Sequence, residues 1–216
     1  MCGCVIHLAG FPIVGFNDIW GNAPNDVYGV GSIDSSDGKS YWGAIIHYDG
    51  RQWQYLKIPN IRTGFSAIRR DSESGFYFLS ATTSDTRGDT EEVYTSDGVN
   101  VREIYRRDAA VGTVNEVAGL VYIAISGKIY RYENNQWSLW KDLTGTTFLG
   151  ALVGRSEKDF LSLASDGIGH YNGTDFKTIF KTDADVSGIQ VFEQNVFMLA
   201  SILTQATPIV IHGVLI

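Results

Sequence analysis

The chain has 216 residues, 44% of them apolar, enough to bury a core of its own, which excludes a disordered chain. Its 17 basic against 24 acidic side chains give a net charge of −7, which argues against a phosphate-tracking surface and so against nucleic-acid binding. Two cysteines, Cys2 and Cys4, make no disulfide scaffold, since residues two apart on a strand lie beyond bridging reach, and no 18-residue apolar run offers a membrane span.

Taken from the N-terminus, residues 3–9 with Val5-Ile6-His7-Leu8 read as a short strand. An apolar segment around Ile19 follows, then Asp26-Val27-Tyr28-Gly29-Val30-Gly31, then Ile45-Ile46-His47-Tyr48, an Asp49-Gly50 turn and a strand beginning at Trp53. This order of strand a, strand b, strand c, Asx-Gly turn and strand d then returns at intervals of roughly 40 residues, near the length of a four-stranded propeller blade. Its b strands are Gly75–Ser80, Leu120–Ile125, Asp159–Ala164 and Asn195–Ala200. The c strands and turns recur at Val93-Tyr94 with Asp97-Gly98, at Ile129–Tyr132, at Ile168–Tyr171 with Asn172-Gly173, and at Ile209–His212. Asp-Gly and Asn-Gly accept the positive φ angles of a two-residue hairpin turn, so such turns are expected there. No apolar residues recur at helical spacing over ten or more positions, and helix is expected to be nearly absent.

The b strands are apolar at nearly every position, which implies burial on both faces, as in a blade packed between two others. The repeats fall near 15–59, 60–108, 109–144, 145–184 and 185–216. The last lacks a d strand, and residues 1–10 supply one, because Val5–Leu8 precedes Ile19 by the interval at which Tyr55–Ile58 precedes Ile68. The expected fold is therefore a single all-β domain, a β-propeller of five four-stranded blades closed by an N-terminal outer strand; the alternative is a fragment of a six- to eight-bladed propeller. Trp53, Trp137 and Phe176 are expected to open outer strands and cover the joints between blades.

The run Asn17-Asp18-Ile19-Trp20-Gly21-Asn22-Ala23-Pro24-Asn25-Asp26-Val27-Tyr28-Gly29-Val30-Gly31, with Ile46-His47-Tyr48-Asp49-Gly50 and Trp53, resembles the repeats of bacterial, often exported, β-propeller proteins. Those repeats have the form N-D-V-[YW]-x-V-G followed by I-x-H-[YF]-[DN]-G-x-x-W. The resemblance is sharp in the first repeat and faint in the second and fifth. It implies a scaffold used as an interaction or ligand-binding module, with no catalytic signature to carry over, and it suggests export, although Met1-Cys2-Gly3-Cys4 opens no signal peptide.

Candidate chemistry is sparse. His7, His47, His170 and His212 lie on strands, three of them at one repeat position, but equivalent positions of neighbouring blades diverge, so no metal site is expected from them; each reads as a half-buried strand residue with one polar edge satisfied. Asp34-Ser35-Ser36-Asp37-Gly38 lacks the full oxygen set of a calcium loop, and no cofactor is expected. A glycoside hydrolase would need two carboxylates on inner strands, for which only Asp18 and Glu116 qualify, and an Asp18 bonded to backbone is the simpler reading. The remaining signal is loop length. Ser32–Trp42 and Thr82–Glu91 read as long b-to-c loops of adjacent repeats, carrying Asp34, Asp37, Tyr41 and Trp42 in one and Asp85, Arg87 and Asp89 in the other. A non-catalytic module, expected to be a monomer, that offers these residues to a protein or glycan is the leading expectation.

Overall fold

The computed structural model describes residues 14–34, 41–56, 58, 61–85, 88–108, 114–192, 195–202 and 205–214. Among them there is no helix, and nineteen strands follow one another as antiparallel meanders. β1 (Val14–Ala23), β2 (Asp26–Asp34), β3 (Tyr41–Tyr48) and β4 (Trp53–Tyr55) form the first sheet, in that order. β5 (Phe65–Arg70), β6 (Tyr77–Asp85), β7 (Gly88–Ser96) and β8 (Val101–Asp108) form the second. β9 (Val114–Val117) to β12 (Gln136–Asp142), with β10 (Leu120–Ile125) and β11 (Lys128–Glu133) between them, make a third meander. A fourth runs through β13 (Phe148–Ser156), β14 (Asp159–Ala164), β15 (Gly167–Tyr171) and β16 (Phe176–Lys181). The last has three strands, β17 (Asp185–Phe192), β18 (Asn195–Ile202) and β19 (Gln205–Val214), which match the a, b and c strands of the fifth repeat. Residues 3–9, expected to supply its d strand, lie outside the described residues.

The contacts divide the chain into two units, Met1–Val114 and Asn115–Ile216. In the first, Val30, Ile45, Phe65, Ile68, Leu79 and Tyr94 share one core cluster drawn from the first two meanders. In the second, the third and fourth meanders are joined through their first strands, because β9 pairs with β13 in parallel, Glu116 opposite Val153 and Val117 opposite Gly154. Around that joint Val117, Tyr122, Phe148, Leu152, Phe160 and Phe176 pack together, and Leu161 and Ile168 pack against Val196 and Met198 of β18. Residues 121–125 of β10 are buried without exception, which is the two-faced burial that their unbroken apolar run implies. Each fully buried Leu, Ile or Phe contributes on the order of 1.5–3 kcal/mol.

Three details differ from the sequence expectation. The Asx-Gly turns are four-residue loops, since Tyr48 pairs with Trp53, Ser96 with Val101 and Tyr171 with Phe176. Within each, one side-chain oxygen caps the turn: Asp49 Oδ1 accepts the N–H groups of Arg51 and Gln52, Asp97 Oδ1 those of Val99 and Asn100, and Asn172 Oδ1 those of Thr174 and Asp175. The following glycine takes the positive φ, +88° at Gly50, which a Cβ would oppose. A two-residue turn occurs instead at Asn134-Asn135, both in the left-handed region.

The second difference concerns the long loops. Pairing continues through Ile33 with Trp42 and Asp34 with Tyr41, and in the second meander from Thr82 with Glu91 to Asp85 with Gly88. The expected loops are thus extended hairpins over most of their length. The third concerns the aromatics that open the outer strands: Phe176 joins the core between the third and fourth meanders, but Trp53 and Trp137 lie against Tyr48 and Tyr132 of their own sheets, ring centroids 5.3 and 5.1 Å apart.

Candidate functional site

The hairpin of β2 and β3 is long because its backbone ladder runs past the buried part of the sheet, so that β3 begins with exposed Tyr41 and half-buried Trp42 before entering the core at Gly43 to Ile46. Gly43 donates its N–H to Ile61 O at 2.9 Å, laying the segment ahead of β5 along β3. This approach needs glycine, for a Cβ at position 43 would sit 2.6 Å from Phe65 Cε2 and 2.9 Å from Thr63 O. The consequence is local and specific. Arg62, next along that segment, holds its guanidinium carbon 5.2 Å from the centroid of the Trp42 ring. Trp42 and exposed Arg62 thereby form one patch at the end of the first meander, while Tyr41, its neighbour on β3, belongs to the opposite face of the sheet.

The second hairpin is built differently. Glu91 and Glu92 are both buried, 6% and 4% exposed, and each is satisfied inside the sheet. Thr82 Oγ1 donates to Glu91 Oε2 at 3.0 Å, while Glu92 accepts the Tyr94 hydroxyl at 2.7 Å and pairs with Arg106 at 2.7 Å. Burial above all, then the hydrogen bond to Glu92 and its charge, pushes the Tyr94 phenol well above its ordinary value. Arg106 is also shared with Glu103. This cluster braces β7 against β8 and leaves little to offer a ligand.

Of the sequence-derived binding residues, Tyr41 and Trp42 are neighbours on β3 but belong to opposite faces of the sheet. Asp34, Asp85 and Asp89 sit on the extended parts of the two hairpins, and Asp37 and Arg87 lie outside the described residues. Arg62 was not among the candidates; its only sequence signal is a cation close to the start of a repeat. The proposed carboxylates also find places. Asp18 on β1 accepts the N–H of Ile19 at 2.9 Å and of Ile68 at 3.0 Å and pairs with Arg69, while Asn17 Nδ2 donates to Phe65 O at 2.8 Å. Asp18 thus ties β1 to β5 through Oδ2, while its Oδ1 takes the N–H of its own neighbour on β1. Glu116 is half-buried on β9, in the parallel ladder to β13.

The described histidines, His47, His170 and His212, have partners of one kind, although His212 is exposed rather than half-buried, and His7 lies outside the described residues. His47 Nε2 lies 2.8 Å from Asp26 Oδ1, His170 Nε2 2.8 Å from Asp159 Oδ1, and His212 Nε2 2.8 Å from Asn195 Oδ1. In each case the c-strand histidine bonds the first residue of the neighbouring b strand. His47 also stacks on Tyr28 at 4.3 Å and His212 on Phe197 at 4.9 Å. The repeated histidine is a sheet element with its polar edge satisfied, and no group of three or more metal-ligating side chains occurs among the described residues.

No family model and no curated protein matches the chain. Solved structures do. TolB from Acinetobacter baumannii superposes with a TM-score of 0.57 at 12% identity, covering 86% of this chain and 50% of that one, so the chain spans half of the length of that relative. The β-propeller domain of the Trilobed protease from Pyrococcus furiosus gives a TM-score of 0.52 at 8% identity, covering 93% of this chain and 82% of that one. At these identities the likeness shows the fold alone: the chain is all-β and propeller-like. No helix among the described residues is long and apolar enough to cross a membrane.

Proposed function

We propose that the chain is a non-catalytic β-propeller module of five blades, the last completed by residues 3–9, that presents the ends of its first two b-to-c hairpins to a protein or glycan. The observation that carries the reading is the patch of Trp42 and Arg62 at the end of the first hairpin. Trp42 is half-buried with the Arg62 guanidinium carbon 5.2 Å from its ring centroid, and Tyr41, next to it on β3, is 43% exposed. Exposed and half-exposed aromatics on a rigid hairpin bind sugar rings or peptide side chains at low entropic cost. Five successive meanders of like strand order, the last with three strands, support the five-blade architecture.

The hydrolase reading draws less support. Asp18 has both oxygens engaged by backbone and by Arg69, which suits a brace between β1 and β5 better than a proton carrier. Glycan and protein arrays probed with the wild-type chain and with Trp42→Ala test the proposal. A ligand retained by the wild type and lost by the variant supports it; unchanged retention moves the site elsewhere. Release of reducing sugar from a polysaccharide panel, abolished by Asp18→Asn, would instead favour the enzyme.

A further inference from the structure

We propose that Asn172-Gly173 is a site of spontaneous deamidation in the folded chain, with water as the co-reactant. Its aspartyl product sets two carboxylates against each other in the turn between β15 and β16. Asn172 is exposed, and it heads the one Asn-Gly pair in the sequence. Glycine matters because the attacking atom is its own backbone nitrogen, which no side chain screens. The Gly173 N–H has no acceptor among the described residues, so that nitrogen is not tied into the turn. The Asn172 amide, in contrast, is held: its Oδ1 accepts the N–H groups of Thr174 and Asp175, both at 3.0 Å. Two donors on that oxygen polarise Cγ and stabilise the negative charge that the oxygen takes on during attack.

The reaction needs nothing else. Gly173 N gives its proton to water and bonds to Asn172 Cγ; the Cγ–Nδ2 bond breaks, ammonia leaves, and a cyclic imide remains. Water then opens the ring. Cleavage of the new N–Cγ bond leaves an ordinary aspartyl residue, while cleavage of the old peptide bond leaves isoaspartate. The sum is amide plus water to carboxylic acid plus ammonia, with no change of oxidation state.

The other repeats show what the product meets. In the second meander the turn opens on a carboxylate and closes on an amide, Asp97 Oδ2 accepting Asn100 Nδ2 at 3.0 Å. The fourth meander reverses the pair, with the amide at Asn172 and the carboxylate at Asp175. Bonding to Lys177 is the main cause that holds the Asp175 carboxyl below its usual value; desolvation opposes it and the Asn172 amide adds to it. Deamidation removes that amide donor and puts a second negative charge in its place. The aspartyl turn still caps its two N–H groups, as Asp49 and Asp97 do, but it contains a like-charge pair that neither of those turns has.

Peptide mass spectrometry of the folded chain, aged at neutral and mildly alkaline pH, tests the site, with the same chain aged in urea as the reference. Deamidation at Asn172 is expected to outrun that at every other asparagine of the folded chain by about tenfold, and to stay within about tenfold of its own rate in urea. A folded-state rate lower than that would mean that the turn shields Asn172 and overturns the proposal, as would faster loss at another asparagine. Thermal melting of Asn172→Asp, Asp175→Asn and the double variant reads the consequence. Asn172→Asp is expected to melt below the wild type, and adding Asp175→Asn, which restores a carboxylate–amide pair in the order of Asp97 and Asn100, should recover the loss. No loss in Asn172→Asp, or a loss that Asp175→Asn leaves unrecovered, overturns the conflict of carboxylates.

Discussion

His47 Nε2 stands 2.8 Å from Asp26 Oδ1, and that bond links two motifs that are separate in the chain, the start of a b strand and the end of the next c strand. The fifth repeat replaces Asp by Asn195 and keeps the bond to His212 at 2.8 Å. Hydrogen bonding, rather than charge, is thus the shared feature. Asp26→Ala should destabilise the chain by about 0.5–1.5 kcal/mol, and Asp26→Asn by clearly less, because the amide oxygen still accepts from the ring. Chemical denaturation of the two variants measures this; equal losses would mean that the carboxylate charge carries the pairing.

Asp18 gives a stricter test of structural against catalytic use. Asp18→Ala leaves the Ile68 N–H without its acceptor at 3.0 Å and Arg69 without its carboxylate. The expected cost is about 1–3 kcal/mol, read from the denaturation midpoint. Asp18→Asn keeps one acceptor oxygen and should recover part of it. A neutral Asp18→Ala would remove the brace assigned to this residue.

Much of this was legible in the sequence because the b strands advertise burial on both faces and the repeats multiply every weak signal. The order of strands in each meander follows directly from Asp26–Gly31, Ile45–Tyr48 and Trp53. What escaped has a physical reason in each case. Thr82 to Asp85 and Gly88 to Glu91 are polar on both faces, so no alternation of hydrophobicity marks them as strand, although the antiparallel ladder pairs them. Asp49-Gly50 carries the composition of a two-residue turn, but the carboxylate captures two N–H groups further on and widens the turn to four residues. Arg62 went unread because cation–π contact depends on where a segment crosses a strand, which composition does not encode.

Acid should weaken the fold through the same turns. Hydrogen bonds from the Asn100 N–H and side-chain amide and from the Val99 N–H lower the Asp97 carboxyl to about 2. At Asp159 burial works upward, but the bonds from His170 and Arg155 outweigh it and leave the carboxyl below its usual value. A carboxyl with a depressed folded-state pKa adds stability above its unfolded value and loses it as pH falls through the folded one. Stability should therefore decline between about pH 4 and about pH 2. Asp97→Asn keeps the turn acceptor, as Asn172 does, yet removes the titration. The wild type's advantage over this variant should shrink across that window, and an advantage constant in pH would mean that Asp97 titrates alike folded and unfolded.

Gly43→Ala couples the fold to the patch. The added methyl meets Phe65 Cε2 at 2.6 Å and Thr63 O at 2.9 Å, far inside ordinary contact. Neither neighbour can yield cheaply. Phe65 is fully buried with its ring edge-on to Tyr94, centroids 5.7 Å apart, and Thr63 O belongs to the backbone. The expected loss is about 1–3 kcal/mol, as for other overpacked sites. Relief requires the 61–65 segment to lift from β3, which stretches the 2.9 Å bond from Gly43 N to Ile61 O and carries Arg62 away from Trp42. Two measurements then move together: the melting temperature falls, and Arg62→Gln costs less stability in the Gly43→Ala background than in the wild type, because the cation–π contact it removes is already weakened. A Gly43→Ala protein that loses stability but shows no coupling to Arg62→Gln would mean that the strand and the patch are held independently.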